Sequence, residues 1–418
     1  METRSRSPQP PRRPHRRGSF FRLKFLLRTL GLLLVAAIVV GIGTTANQGW
    51  GPNFRGGAPQ ISAQEAASRN MLDLARTASD LAGGAGSASA SSAHESASPS
   101  AGSSDAVAPA VDAKSAQELD RAAQLLNRHV ELLTPGLAAQ VAQENEAAKA
   151  SSSSSPAGKS NSPDSPTVKS TSGSDSLAKL AMDLGVSANT LLDAASTSGI
   201  GETAPLLGAG IEQRLEAQRL AALVPDHAKK KVLPAVNLPD ADHAWQEALA
   251  SPLPAGSCTV DGSPSPTASP DAAVSSAAGT ETATSEEQQA ATSIDNAADA
   301  AFRQAYGYQM AAVKHPGSST SNGWKLSSTT TELGHRLEDL LPEDCSPVRA
   351  AAYALPSGFD AEPLTSVAAS EAQLAGLLRD ATSQAASALR PALITETWLA
   401  AERSFTLTRT IPDLTKSS

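Results

Sequence analysis

The stretch that decides the fold is residues 284–314, TSEEQQAATSIDNAADAAFRQAYGYQMAAVK. Thr284 followed three residues later by Glu287 is a capping box, in which each side chain satisfies a backbone N–H the helix start leaves unpaired. Ile294, Ala298, Ala301, Ala305, Tyr308 and Ala312 then fall on one face at helical spacing. Three more amphipathic segments follow. Thr329-Thr-Thr-Glu332 reads as a second capping box leading into Leu333, Leu337, Leu340 and Leu341. Leu364, Val367, Leu374, Leu378 and Ala381 mark a third helix. Ile394, Trp398, Ala401 and Phe405 mark a fourth, flanked by Leu389 and Leu393. No short segment alternates with period two. Four helices with one apolar face each bury those faces most economically as an antiparallel four-helix bundle. The fold class expected for residues 284–414 is therefore all-α.

Upstream, residues 47–254 read as a helical region broken by low-complexity linkers at 83–112 and 151–174, with a third linker at 255–283 before the bundle. These tracts are rich in Ser, Ala, Gly, Pro and Thr and bury too little apolar surface to offset their ordering entropy. Helical patterns lie between them. Met71, Leu72, Leu74, Ala78 and Leu81 form one. Leu119, Ala123, Leu126, Val130 and Leu133 form another, entered through a Ser115-Ala-Gln-Glu118 capping box and ended by Pro135-Gly136. Residues 176–196 and 211–223 give two more. The interruptions predict a loosely packed region.

The N-terminus supplies an address. Residues 1–28 carry nine Lys or Arg against the single acid Glu2, and residues 29–46 run without a charge. Eighteen residues at about 1.5 Å rise come close to spanning the roughly 30 Å hydrocarbon core. A basic flank before an apolar run places the N-terminus in the cytoplasm and the remainder outside, with the lipid bilayer as the partner of residues 29–46. An uncleaved signal anchor is the expectation, and cleavage after Ala46 is the alternative. Arg12-Arg13 and Arg16-Arg17 before Phe20-Phe21 resemble a twin-arginine signal, but the spacing is one residue too long, and positive-inside charge explains them.

The formal charge is −8. The basic arm holds +8 of it, which leaves −16 over the remainder. An acidic exported body argues against a nucleic-acid partner. Aromatic residues make up only 3% of the chain, so its cores must be Ala/Leu helix packing. Cys258 and Cys345 are the two cysteines. In an oxidising compartment an even count favours one disulfide, worth about 4 kcal/mol on the chain-entropy model for a loop of this length. Two free thiols are the alternative.

Ala305-Tyr306-Gly307-Tyr308, His335-Arg336 in a Leu-rich helix, and Ala350 to Pro356 (AAAYALP) before the third helix resemble an uncharacterised ferritin-like domain of exported or membrane-tethered actinobacterial proteins. The resemblance covers residues 284–414, with residues 125–130 (LLNRHV) as the remnant of an upstream helical region. It implies a ferritin-like four-helix bundle and no assigned activity. Asp299-Ala300 stands where that pattern would carry a Glu-His pair.

A ferritin-type di-iron site needs inward carboxylates from four helices and two Glu-x-x-His pairs. The chain offers one pair, Glu332 and His335. At about 100° per residue, His335 lies roughly 200° from Leu333 and faces away from the bundle core. Glu371 alone falls centrally on an apolar face, between Val367 and Leu374, and reads as a buried hydrogen-bond acceptor rather than a ligand. Glu332, His335 and Glu371 are thus the metal candidates, and no metal or cofactor is expected. His129 reads as a packing histidine, and His227 before Lys229-Lys230-Lys231 as a solvated turn. No Gly-x-Ser-x-Gly elbow, phosphate-cradling loop or His-Glu-x-x-His is present. The expected function is a non-enzymatic binding or scaffolding module of the cell envelope, partnered by an envelope protein or polymer and able to self-associate through its bundle. The alternatives are a metal-binding protein or degenerate di-iron oxidoreductase, and a cell-wall polymer binder.

Overall fold

A computed structural model describes residues 62–91, 113–152, 173–224, 233–255, 257–258, 284–314, 322–345, 349–350 and 352–416. The basic arm, the apolar run 29–46, residues 225–232 and most of the low-complexity tracts lie outside these. Among the described residues no helix is long and apolar enough to cross a membrane, there are no strands, and ten α-helices follow in order. They are α1 (Ala63–Ser91), α2 (Ala113–Leu133), α3 (Leu137–Ser152), α4 (Gly173–Thr197), α5 (Thr203–Leu223), α6 (Ala241–Leu249), α7 (Ser285–Lys314), α8 (Gly323–Glu338), α9 (Pro363–Gln384) and α10 (Arg390–Thr408).

Local chemistry sets many of the boundaries. At α7 the capping box forms as its residues predict: Thr284 Oγ1 accepts from the Glu287 N–H at 3.2 Å, and the Thr284 N–H donates to Glu287 Oε2 at 2.7 Å. Pro at the first turn opens α9 and α10, where its missing N–H costs nothing. Gly136, at φ 79°, turns α2 into α3. The other two capping boxes do not form. Helix α8 begins at Gly323, so Thr329 lies inside it, and Glu332 pairs instead with Arg336 at 2.6 Å. Helix α2 begins at Ala113, so Ser115 is interior, and Glu118 meets Arg121 and Arg219. In α2 the good helix formers Ala113 and Lys114 precede the Ser, and in α8 about a turn and a half from Gly323 precedes the Thr, so each helix is under way before its capping signal. Helical structure likewise runs into the first two low-complexity tracts, to Ser91 and to Ser152.

Helices α7 to α10 are neighbours, with α7 between α8 and α9 and α9 on α10, while α10 packs further on α5 and α6 rather than closing onto α8. Ile294, Ala298, Ala301, Ala305 and Tyr308 are buried on α7, and Ile394, Trp398, Ala401 and Phe405 on α10. The expectation of a loosely packed upstream region is corrected. Helices α1, α2, α5 and α4 form a ring of neighbours, α1 on α2, α2 on α5, α5 on α4 and α4 on α1. Its interior holds Met71, Leu119, Leu126, Leu184, Leu191 and Leu207, each almost without solvent contact. Sequence pattern missed this because the interruptions between these helices do not prevent their apolar faces from meeting. Helix α5 also packs on α9 and α10, so one apolar core runs through both helix sets, and residues Ile61–Ser418 form one compact unit. Short helix α6 covers α10 with the buried Trp245.

Two close approaches tie the set. The bridge Cys258–Cys345 joins the segment after α6 to the 3₁₀ turn Glu343–Cys345 after α8, where the Leu253 N–H also donates to the Leu340 carbonyl at 3.0 Å. Gly208 on α5 lies against the C-terminal tail: a Cβ there would sit 2.3 Å from the Leu414 carbonyl oxygen. Gly208→Ala is therefore expected to lower stability by about 1–3 kcal/mol, against the usual helix gain of up to about 1 kcal/mol. Gly83→Ala, with nothing within 4 Å, should show that gain. Urea midpoints of the two variants check the opposite signs.

Candidate functional site

Glu371 is fully buried on α9. Tyr308 on α7 donates its hydroxyl to Glu371 Oε1 at 2.5 Å, and Arg403 on α10 donates through Nε to Oε1 at 2.9 Å and through Nη2 to Oε2 at 3.1 Å. This fork is the bidentate geometry that makes arginine–carboxylate pairs strong. Burial, then the nearby carboxylate charge, pushes the Tyr308 phenol well above its ordinary value. Burial alone would lower the Arg403 guanidinium, but the charge and hydrogen bonds of Glu371 outweigh it and hold it above its ordinary value. Around this triad Ser404 Oγ donates to the Ala368 carbonyl at 2.8 Å and Gln304 Nε2 to the Val367 carbonyl at 3.2 Å. Glu371 thus locks three helices in register.

Glu332 and His335 lie elsewhere, on the exposed side of α8. Glu332 is held by Arg336, and His335 Nδ1 lies 3.4 Å from Glu338 Oε2 with its ring edge-on to Phe302 at 5.0 Å. Both line a shallow groove of about 600 Å³ headed by Trp324, whose side chain is exposed. Among the described residues no three His, Cys, Asp or Glu side chains gather into a set that could hold a metal, so Glu332, His335 and Glu371 do not converge.

The densest polar arrangement was not singled out from sequence. Glu212 on α5 is 0% exposed. Its Oε2 accepts from Arg128 Nη2 at 2.6 Å and lies 2.9 Å from His129 Nε2. Its Oε1 accepts the backbone N–H groups of Leu414 and Thr415 at 2.6 and 3.1 Å. Gln213 Nε2 lies 3.3 Å from His129 Nδ1 and 2.7 Å from Met71 Sδ. The carboxylate facing Nε2 places a proton on that nitrogen, and the Gln213 amide meets Nδ1. His129 is therefore the satisfied packing histidine expected of it. Arg379 Nη1 completes the clamp by donating to the carbonyls of Leu414 and Lys416.

One turn further along α5, Glu216 is also fully buried. Arg219 Nη2 stands 2.6 Å from Glu216 Oε2, close enough for an ion pair but out of line for a hydrogen bond, and Arg219 Nε is 3.1 Å from Glu118 Oε2. Burial pushes the Glu216 carboxyl up to about 7, only partly countered by Arg219. Glu216 lines a cleft of about 490 Å³ with Arg121, Arg128, Arg219, Arg409 and Asp413. Gly208, Glu212, Glu216 and Arg219 recur at helical spacing, which was legible. The burial of Gly208, Glu212 and Glu216 was not, because it comes from α2, α4, α9 and α10 enclosing α5. No family model, curated protein or solved structure matches the chain.

Two outcomes follow from these networks. Glu371→Ala strands Arg403 and Tyr308 and should cost about 3–5 kcal/mol, read from urea unfolding, whereas His335→Ala should stay within about 0.5 kcal/mol. Glu216 binds its proton more tightly folded than unfolded. Its contribution is therefore whole below its ordinary value of 4.5 and is lost as pH rises to about 7. Stability measured from pH 4.5 to 8 should fall less steeply with pH in Glu216→Gln than in the parent chain.

Proposed function

We propose that the chain is a membrane-tethered, extracytoplasmic binding or scaffolding module of the cell envelope, held to the bilayer by residues 29–46. The observation that carries this reading is the Cys258–Cys345 bridge. A disulfide closing so long a loop persists in an oxidising compartment and is rare in a reducing cytosol. It agrees with the address read from the basic arm and apolar run. Helices α7 to α10 are read as a ferritin-like four-helix bundle, a proposal supported by their order of packing and by the α7 and α8 motifs. The role is non-enzymatic in this reading. Its support is that Glu371, the inward carboxylate of that bundle, is engaged by Tyr308 and Arg403 in a bond set that fixes helix register.

One surface favours a wall polymer as the partner. Trp324 is 60% exposed at the head of a groove whose other lining side chains include Ser328, Thr331, His335 and Asp339. An exposed indole presents a flat apolar face beside hydrogen-bonding groups, an arrangement suited to the face and hydroxyls of a sugar ring.

In cells expressing the full chain, both cysteines should resist a membrane-impermeant maleimide until reductant is added, and the protein should sediment with membranes. Thiols that alkylate without reductant, or a protein found in the cytosol, would contradict the proposal. If the wall is the partner, the full chain should be retained on isolated wall material and Trp324→Ala should release it. Stoichiometric iron or manganese in the purified protein would instead favour the metal-binding alternative.

A further inference from the structure

Four arginines of an acidic chain gather at one cleft beside α5. The chain beyond its basic arm carries a formal −16, yet the cleft is walled by Arg121 and Arg128 from α2, Arg219 from α5 and Arg409 at the end of α10, against Glu216 and Asp413. Not all of these cations are committed to one another's carboxylates. Arg128 holds Glu212 and lies 3.8 Å from Asp413, with nearly half its side chain in solvent, and Arg219 holds Glu216 and Glu118. Arg121 pairs with the neighbouring Glu118 and keeps half its side chain in solvent. Arg409 lies over the Phe405 ring at 5.6 Å, and no carboxylate within ion-pair distance of it is found among the described residues.

Arg409 is also held in an unusual way. It is the one non-glycine residue at positive φ among the described residues, at 59°, and its N–H closes α10 onto the Phe405 carbonyl at 2.7 Å. Helix ends of this kind ordinarily use Gly or Asn. An arginine there costs backbone energy of order 1 kcal/mol, and it brings a guanidinium to the cleft mouth. The tail that follows is pinned by Glu212 and Arg379, so this wall of the cleft is preformed. Guanidinium groups match phosphate oxygens with paired N–H donors, and two exposed guanidiniums with spare donors at a cleft mouth suit a small anion.

We propose that this cleft is a binding site for a diphosphate-sized phosphate anion, with Arg121 and Arg409 as its principal donors and Arg128 and Arg219 as its inner wall. The site stands independently of the compartment assigned above. Glu216 lies in the floor, with Arg219 on its own helix, Glu118, Arg121 and Arg128 on α2, Arg409 at the end of α10 and Asp413 in the tail as the charged groups around it. Charged, it repels the ligand; protonated, it does not. Occupancy is therefore linked to its protonation, and since burial holds its carboxyl near 7, binding strengthens as pH falls through neutrality.

The test is calorimetric titration of the full chain in detergent with inorganic pyrophosphate at low salt. Saturable binding is expected, weakened at least tenfold in the Arg121→Gln, Arg409→Gln double variant and unchanged in Arg303→Gln, whose arginine lies on α7 paired with Asp299. A monoalkyl diphosphate run alongside separates the sources: equal binding assigns an esterified diphosphate, and its exclusion assigns the free anion. Sulfate, whose charge is constant from pH 6 to 8, isolates the role of Glu216. Its affinity should fall severalfold over that range in the parent chain and stay flat in Glu216→Gln. Circular dichroism confirms that each variant is folded. Absence of pyrophosphate binding, or binding undiminished in the double variant, would overturn the site, and a sulfate affinity equally pH-dependent in Glu216→Gln would overturn the linkage.

Discussion

The carboxylate of Glu212 is the constraint on which the rest of the structure depends. It is buried without solvent contact and would be costly as an isolated charge. Four donors meet it: the Arg128 guanidinium, the His129 imidazole and two backbone N–H groups of the C-terminal tail. Those donors come from α2 and from the segment after α10, at opposite ends of the chain. Satisfying one carboxylate therefore requires that the first helix set and the last helix be assembled together. Gly208, one turn away, admits the tail carbonyl that Arg379 then takes up.

The composition explains why such polar clamps carry the specificity. A core built of Ala and Leu with few aromatics offers shallow ridges, and many helix registers bury similar area. Glu371 with Tyr308 and Arg403, and Glu212 with His129 and the tail, each fit a single register, because a one-turn slip would leave a buried charge unpaired. The bridge between Cys258 and Cys345 acts on the unfolded chain as well, by closing the long segment that separates α6 from the end of α8.

Much of the C-terminal bundle was legible in the sequence because its apolar residues recur at helical spacing and Thr284 with Glu287 marks its start. The outward direction of His335 and the burial of Glu371 followed from helical phase alone. What escaped was whatever depends on a second layer of packing. Charges at 212, 216 and 219 share one helical face, and the four helices around α5 bury Glu212 and Glu216 on it. The upstream region looked loose because linker composition was conspicuous, while its apolar stripes at Met71, Leu126, Leu184 and Leu207 carried the packing signal. Two capping boxes were false starts, since a Ser or Thr followed by Glu can equally sit inside a helix that began earlier.

These features describe a helical body whose polar interior is devoted to its own assembly, with the α8 groove and the arginine cleft at its surface. The central claim is that the two helix sets are one cooperative unit coupled through Glu212. Equilibrium urea unfolding of Glu212→Gln in a Trp50→Phe, Trp324→Phe background tests it most directly, followed by far-UV circular dichroism and by the fluorescence of the remaining Trp245 and Trp398, which lie on α6 and α10. The account predicts a single transition in which both signals shift to lower urea by the same amount. A tryptophan transition that keeps its parental midpoint while the helical signal melts earlier would contradict it.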